Sequence, residues 1–262
     1  MRAPRAARDL VRELVGALLP VQCAGCLAWD QVLCPSCRAL ARRPPMNADV
    51  EGHRGPLPGV FLGDYGGALR RIVLSAKHSA RTDLGEFLDD AGENLGVRAC
   101  EVLGIGKARE WDAARESRPS SRVPRTEVWV VPAPSSWKRR MRGRQVALPI
   151  AIAVARGIAS SARPGTRVAV VNAVRLRLGA GSQSGKAGAQ RVVGRMGAMR
   201  ALAVPRASIR VVAVDDVVTT GATIREMERV LGALDVVAAL CRAGAPHDAG
   251  HGMRYSVDTD FR

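Results

Sequence analysis

The sequence predicts an α/β protein, a mostly parallel sheet flanked by helices, with a small cysteine-rich module in front of it. Three observations carry that expectation. Short apolar runs at Val128–Val131, Val168–Val171, Ile209–Val214 and Val236–Leu240 have the length and β-branched content of buried strands. Longer stretches at about Gln145–Ala162 and Thr223–Leu234 place apolar residues at helical spacing between them; strands alternating with helices make βαβ units and a parallel sheet. Ahead of both stand two Cys-x-x-Cys pairs.

Taken in order, Leu10, Val11, Leu14, Val15, Leu18 and Leu19 recur at helical spacing until Pro20 closes an amphipathic helix. The cysteines follow. The stretch after Cys37, with Pro44, Pro45, Pro56 and Pro58, reads as a polar linker out of an N-terminal module. A short strand is expected at Val60–Tyr65, then a helix presenting Leu69, Ile72, Val73 and Ala76, then another over about Asp83–Leu103. The segment Gly104–Thr126 has no period and reads as a surface loop. The expected organisation is a helix and a four-cysteine, zinc-ribbon-like module over residues 1–56, an α/β domain over 57–243 and a polar tail over 244–262.

Composition bounds the function. With 47% hydrophobic and 24% charged residues, the chain falls among globular proteins and outside the disordered and fibrous classes. The net charge of +16 attracts polyanions such as nucleic acid, anionic lipid or phosphorylated metabolites, without selecting one. Nearly all of it is arginine, since lysine occurs only at Lys77, Lys107, Lys138 and Lys186. Asp9, Arg12 and Glu13 interrupt the apolar run a signal peptide needs, and no stretch approaches the about 18 apolar residues of a spanning helix. The expectation is a cytoplasmic protein without a membrane span, whose thiols stay reduced.

Cys23, Cys26, Cys34 and Cys37 form C-x2-C-x7-C-x2-C. Each pair can offer two thiolates to one ion, and two pairs complete the tetrahedral set that structural Zn²⁺ prefers. A redox pair or disulfide is the other use of such cysteines. Cys100 and Cys241 stand in apolar helix and strand contexts and read as core.

The most specific signal is the run from Ile209 to Ile224. A strand ends at Asp215 and Asp216, and Val217, Val218, Thr219, Thr220, Gly221, Ala222 and Thr223 turn into a helix. Small residues let backbone close around a phosphate monoester, the threonines add hydroxyl donors, and the helix start supplies free amides and the positive end of its dipole. The paired carboxylates can accept from neighbouring ribose hydroxyls and help place hydrated Mg²⁺. Simple capping by Thr219 and Thr223, with solvated aspartates, is the plainer use of the same residues.

The run Val211–Thr223 closely resembles the fingerprint of type I phosphoribosyltransferases, and the ordered set Tyr65 to Lys77, Val131-Pro132-Ala133-Pro134, Gln183-Ser184-Gly185 to Gln190-Arg191 and Asp215 to Thr223 resembles the ComF family, with its competence-associated ComFC and GntX-like members. The resemblance implies a type I phosphoribosyltransferase-like sheet with an N-terminal zinc knuckle. It implies that Asp215 and Asp216 bind the ribose 2′ and 3′ hydroxyls of 5-phosphoribosyl-1-pyrophosphate (PRPP), with Val217, Val218 and Thr219 to Thr223 around the 5′-phosphate. Two positions depart from the family pattern: Arg144 in Arg142-Gly143-Arg144-Gln145, where the family has an aromatic-Asn pair before the Gln, and Gly194 in place of an Asn. The basic loop Ser135–Arg144, with Lys138, Arg139, Arg140, Arg142 and Arg144, is the candidate pyrophosphate cradle, joined by Lys77. The glycine-rich stretch Arg175–Gln190 reads as a lid.

The function expected from these residues is Mg²⁺-dependent PRPP binding, with phosphoribosyl transfer to an acceptor the sequence does not name. The alternative, from a different class, is a non-enzymatic accessory factor for DNA uptake and natural competence that binds single-stranded DNA, or DNA-uptake proteins, through the basic zinc module. Aromatics at 3% leave few platforms for base stacking, with Trp29 the one near the knuckle.

Overall fold

The computed structural model describes residues 21–78, 83–107, 126–135, 145–177 and 197–244. The expected N-terminal helix, Arg142 and the rest of the basic loop after Ser135, most of the loop before Thr126, the Gln183 to Gln190 stretch with Arg191 and Gly194, and the tail after Gly244 lie outside them.

A six-stranded sheet carries the fold, built from β1 (Met46–Glu51), β2 (Pro56–Asp64), β3 (Glu127–Pro132), β4 (Arg167–Val170), β7 (Ile209–Val218) and β8 (Val236–Arg242) in the order β1-β2-β8-β7-β3-β4. Every pairing is parallel except β1 with β2. The helices are α1 (Pro35–Arg38), α2 (Gly67–His78), α3 (Gly85–Val102), α4 (Ala147–Ser161) and α5 (Ala222–Leu231), and a separate antiparallel ribbon joins β5 (Val174–Leu176) to β6 (Met199–Ala201).

Side chains alternate across a strand, so each buried strand feeds two apolar layers. Val60 and Leu62 of β2, Val128 and Val130 of β3, Val212 and Val214 of β7 and Val236 and Ala238 of β8 face the layer that holds α2, α3 and α4. Phe61, Val131, Val211, Ala213, Val237 and Ala239 face the other, with Ile224, Met227 and Leu231 of α5 and Val174 and Met199 of the ribbon. Fully buried side chains such as Phe61, Phe87 and Ile224 each contribute about 1.5–3 kcal/mol by leaving water. In the first layer α3 and α4 cross on glycine: a Cβ at Gly96 would strike the backbone of Val154, and one at Gly157 the carbonyl of Glu93.

The expected strands and helices that fall on described residues are present, most with shifted ends, and one segment differs in kind. The stretch after Cys37 is not a linker but contains a 3-10 turn (Ala39–Arg42), β1 and the start of β2. Its polar composition has a structural reason: β1 is the sheet edge and buries only Val50 fully, and β8 joins β2 only from Gly59 onward, so Pro56 and Pro58 occupy a part of β2 with one unpaired side. The cysteine module packs directly on the domain, since Cys23, Cys34, Cys37 and Ala41 belong to the same buried cluster as Phe87 and Leu95 of α3. Among the described residues no helix is long and apolar enough to cross a membrane.

Candidate functional site

Two of the sequence-predicted sites fall on described residues, the four-cysteine module and the end of β7. In the module, Cys23, Cys26, Cys34 and Cys37 bring their four sulfurs within 4.8 Å of one another, with Cys26 Sγ 3.6 Å from Cys34 Sγ. Backbone amides point at the sulfurs: Gly25 N and Cys34 N donate to Cys23 Sγ at 3.4 Å, and Cys37 N donates to Cys34 Sγ at 3.4 Å. Burial opposes ionisation of Cys23, yet the amides of Cys34, Cys26 and Gly25 outweigh it and lower the thiol to about 6. Cys37 lies the other way, raised by burial and by the neighbouring sulfurs. Four sulfurs at this spacing, with amides aimed at them, fit a tetrahedral structural metal site of the kind zinc takes. The knuckle is held closed by left-handed backbone at Leu27 (φ 70°) and Asp30 (φ 67°), conformations that side-chain-bearing residues rarely adopt without surrounding support. Arg71 Nε of α2 donates to the Gly25 carbonyl and ties the knuckle to the domain.

The second site lies where β7 gives way to α5. The strand runs past both aspartates to Val218, longer than its apolar run suggests. Its alternation slips at those aspartates: Val214 and Val217 both face the α3–α4 layer, whereas Val218 faces α5. Pairing with β8 passes from Asp215↔Ala239 to Val217↔Cys241, and Asp216 N donates to Asp215 Oδ1 at 2.8 Å. Both aspartates are half-buried. Lys77, in the last turn of α2, reaches Asp216 with its ammonium 2.8 Å from Oδ1, the two side chains retaining 17% and 16% exposure. The structure therefore joins Lys77 to the aspartate pair, as part of the expected site, by a direct ion pair.

Beyond Val218, Thr219 and Thr220 are exposed, Gly221 and Ala222 are buried and Thr223 is half-buried. Gly221 is the N-cap of α5 in the left-handed region (φ 68°) and has no side chain to offer the helix start. A Cβ there would also lie 2.9 Å from the carbonyl oxygen of Glu51, so glycine is required twice over, and β1 closes one side of the turn. The position matches the general rule that ligands of open parallel sheets lie at the carboxyl ends of the strands. Neither the family models nor the curated proteins compared with this chain give a match. The site is accordingly argued from its own chemistry.

Several functional-looking residues escaped sequence reasoning. Glu228 of α5 is 3% exposed and accepts from the amides of His53, at 2.5 Å, and Arg54, at 3.4 Å, in the β1–β2 turn. Glu226, also 3% exposed, accepts from Met199 N at 3.2 Å and binds Arg229 through both nitrogens. Burial alone would raise its pKa, but Arg229 and the Met199 amide prevail and hold the carboxyl below its ordinary range. With the Arg225–Glu51 pair at 3.0 Å, these contacts fasten α5 to β1, to the β1–β2 turn and to the ribbon. A signal for Glu228 existed: it occupies the i+4 place of the apolar stripe Ile224, Met227, Leu231, where a carboxylate must find buried donors. Cys241 lies opposite Val217 and is pushed up to about 12, chiefly by burial and then by the charge of Asp216.

Proposed function

We propose that this chain is a type I phosphoribosyltransferase-like protein of the ComF kind that binds PRPP with Mg²⁺ at the end of β7. The observation that carries the reading is the coincidence, at one strand end, of two adjacent aspartates, a lysine 2.8 Å from one of them, and a helix start whose N-cap is a glycine in the left-handed region. Asp215 and Asp216 accept hydrogen bonds from vicinal ribose hydroxyls, while the Thr219 to Thr223 turn receives the 5′-phosphate on backbone amides and hydroxyls. The same carboxylates would hold Mg²⁺, which supplies charge neutralisation for a departing pyrophosphate. Lys77, released from Asp216 when the ligand's hydroxyls and cation take its place, is positioned to face the pyrophosphate. The protein's contribution to transfer would be positioning and electrostatics around ribose C1.

The test is a calorimetric titration of the chain with PRPP and Mg²⁺, alongside an Asp215→Asn/Asp216→Asn variant. Expected are one-to-one binding, thermal protection of the parent and loss of both in the variant; no heat and no protection in the parent would refute the reading. Pyrophosphate release with candidate bases and amines then separates an enzyme from a PRPP-binding protein.

A second reading, single-stranded DNA binding by the module, is favoured by the 57% exposure of Trp29 beside the knuckle, since an exposed indole can stack on a base. Trp29→Ala should weaken binding to an oligonucleotide by about 1–3 kcal/mol; unchanged binding would remove this reading.

A further inference from the structure

The layer of helices that covers one face of the sheet is open at its β4 end. Helix α4 carries one charged residue, Arg156, and is otherwise apolar or small all round, the pattern of a helix covered on every side. Its flank toward α3 is settled by Ala153, Val154 and Gly157, which meet Gly92, Gly96 and Glu93. By the about 100° advance per residue of a helix, Leu148, Ile152, Ala155 and Ala159 form a stripe on the opposite flank. Since α3 lies over β2 and β8 while α4 lies over β7, β3 and β4, that flank is the β4 side. Ile152 is 43% exposed there, and Val168 and Val170 of β4, which turn to the same layer, stay half-buried. Among the described residues no strand pairs with the outer side of β4. Arg167 N and Val171 N donate toward β3, to the carbonyls of Thr126 and Val130, so by alternation the amides of Val168 and Val170 point to the open edge.

The chain beyond Gly244 holds a segment of matching form. In residues 253–262, Met253, Tyr255, Val257 and Phe261 alternate with Arg254, Ser256, Asp258, Asp260 and Arg262, and Thr259 keeps the period. Strict alternation is the mark of a half-buried strand. Two of the chain's five Phe and Tyr residues fall in this stretch, whereas solvated tails are poor in aromatics. The eight residues 245–252, with Pro246, Gly250 and Gly252, have the composition of a link. They can span at most about 26–29 Å, and the place beside β4 lies four strand spacings from β8, about 19 Å.

Direction and charge choose between the two sheet edges. The chain leaves β8 at the carboxyl end of the parallel strands, so a returning strand runs antiparallel to β4 but parallel to β1, which is itself reversed. Antiparallel pairing is the more stable per residue. The edge strand β1 exposes Asp49 and Glu51, whereas β4 exposes Arg167. With Val257 opposite Val168, Tyr255 falls opposite Val170 and Asp258 opposite Arg167, so apolar side chains meet the α4 flank and a carboxylate meets the guanidinium.

We propose that residues 253–262 add a strand to the outer side of β4, antiparallel to it, and close the α4 layer. This covers an edge that would otherwise template pairing with other chains. The proposal does not depend on the PRPP reading.

The test is amide hydrogen exchange in the full chain, read residue by residue by NMR, with the mass in solution followed by light scattering. Val168, Val170, Tyr255 and Val257 should exchange at least a hundredfold more slowly than unstructured peptide, with Overhauser contacts between the methyls of Val168 and Val257. Val257→Asp should bring these amides to within tenfold of unstructured rates while the Val212 amide of β7 stays protected, which also shows that the variant is folded. Arg167→Glu should speed exchange of the segment at least threefold, and adding Asp258→Arg should restore the parent rates. Unstructured rates over residues 254–260 in the parent, or protection that Val257→Asp leaves unchanged, would overturn the assignment. So would contacts to β1 instead of β4, which place the segment on the other edge, or protection lost on dilution together with a dimer mass, which places it on a second copy.

Discussion

Replacing Lys77 by Met removes the counter-ion of Asp216 while keeping the length of the side chain. At 2.8 Å the gross Coulomb attraction is about 6 kcal/mol for an effective dielectric of ~20. Desolvation of both groups cancels much of it. Breaking a fully buried pair costs about 3–5 kcal/mol, because one charge is left uncompensated, whereas exposed pairs couple by only about 0.2–1 kcal/mol. With exposures of 17% and 16% the Lys77–Asp216 pair stands nearer the buried limit. We therefore expect Lys77→Met to cost about 2–3 kcal/mol. Asp216→Asn should cost less, about 1 kcal/mol, since the orphaned lysine can swing its ammonium to water along its flexible stem. The double variant removes both charges and should recover part of the loss, leaving a coupling of about 1–2 kcal/mol. Urea unfolding of the four proteins, with slopes that stay equal, reads this directly. A coupling under about 0.5 kcal/mol, or a larger loss for Asp216→Asn than for Lys77→Met, would show that the pair is a solvated surface contact and that the electrostatic reasoning about this strand end is wrong.

Three further outcomes follow from the same structure. Zinc loading of the four-cysteine module at pH 7.5 should release a proton from Cys37 and none from Cys23, whose thiol is already lowered to about 6; metal affinity should therefore rise with pH, and titration in buffers of different ionisation enthalpy counts the protons. Gly96→Ala should destabilise the chain by about 1–3 kcal/mol through overpacking against the α4 backbone; an unchanged urea midpoint would mean that the α3–α4 crossing relaxes freely. Cys241, fully buried and pushed up to about 12, and Cys100, fully buried and raised mainly by burial, should resist alkylation at pH 8 in the folded protein and react at once in denaturant; fast labelling without unfolding would contradict their core placement.

The α/β class, the strands β3, β4, β7 and β8, the helices between them and the four-cysteine cluster could all be read from the chain, because each rests on a short-range pattern: a β-branched run, a 3.6-residue stripe, or ligand pairs separated by two residues. Local sequence likewise marked Asp215 to Thr223 as the passage from strand to helix, although the strand runs on through both aspartates to Val218 and only the residues after it turn. It did not find β1, whose outward residues make an edge strand look like a linker, nor the ribbon, whose two three-residue strands lie more than twenty positions apart. It suggested that Lys77 belongs to the site but not that it bonds Asp216, since that contact spans 139 positions and forms only when the last turn of α2 is brought up to Asp216. The burial of the carboxylates Glu226 and Glu228 and the place of β4 at the sheet edge are likewise decided in three dimensions. The periodicity of a segment fixes which of its faces is apolar. What charge stands opposite a given side chain depends on how distant segments pack, and that packing is where both the strand-end site and the open sheet edge arise.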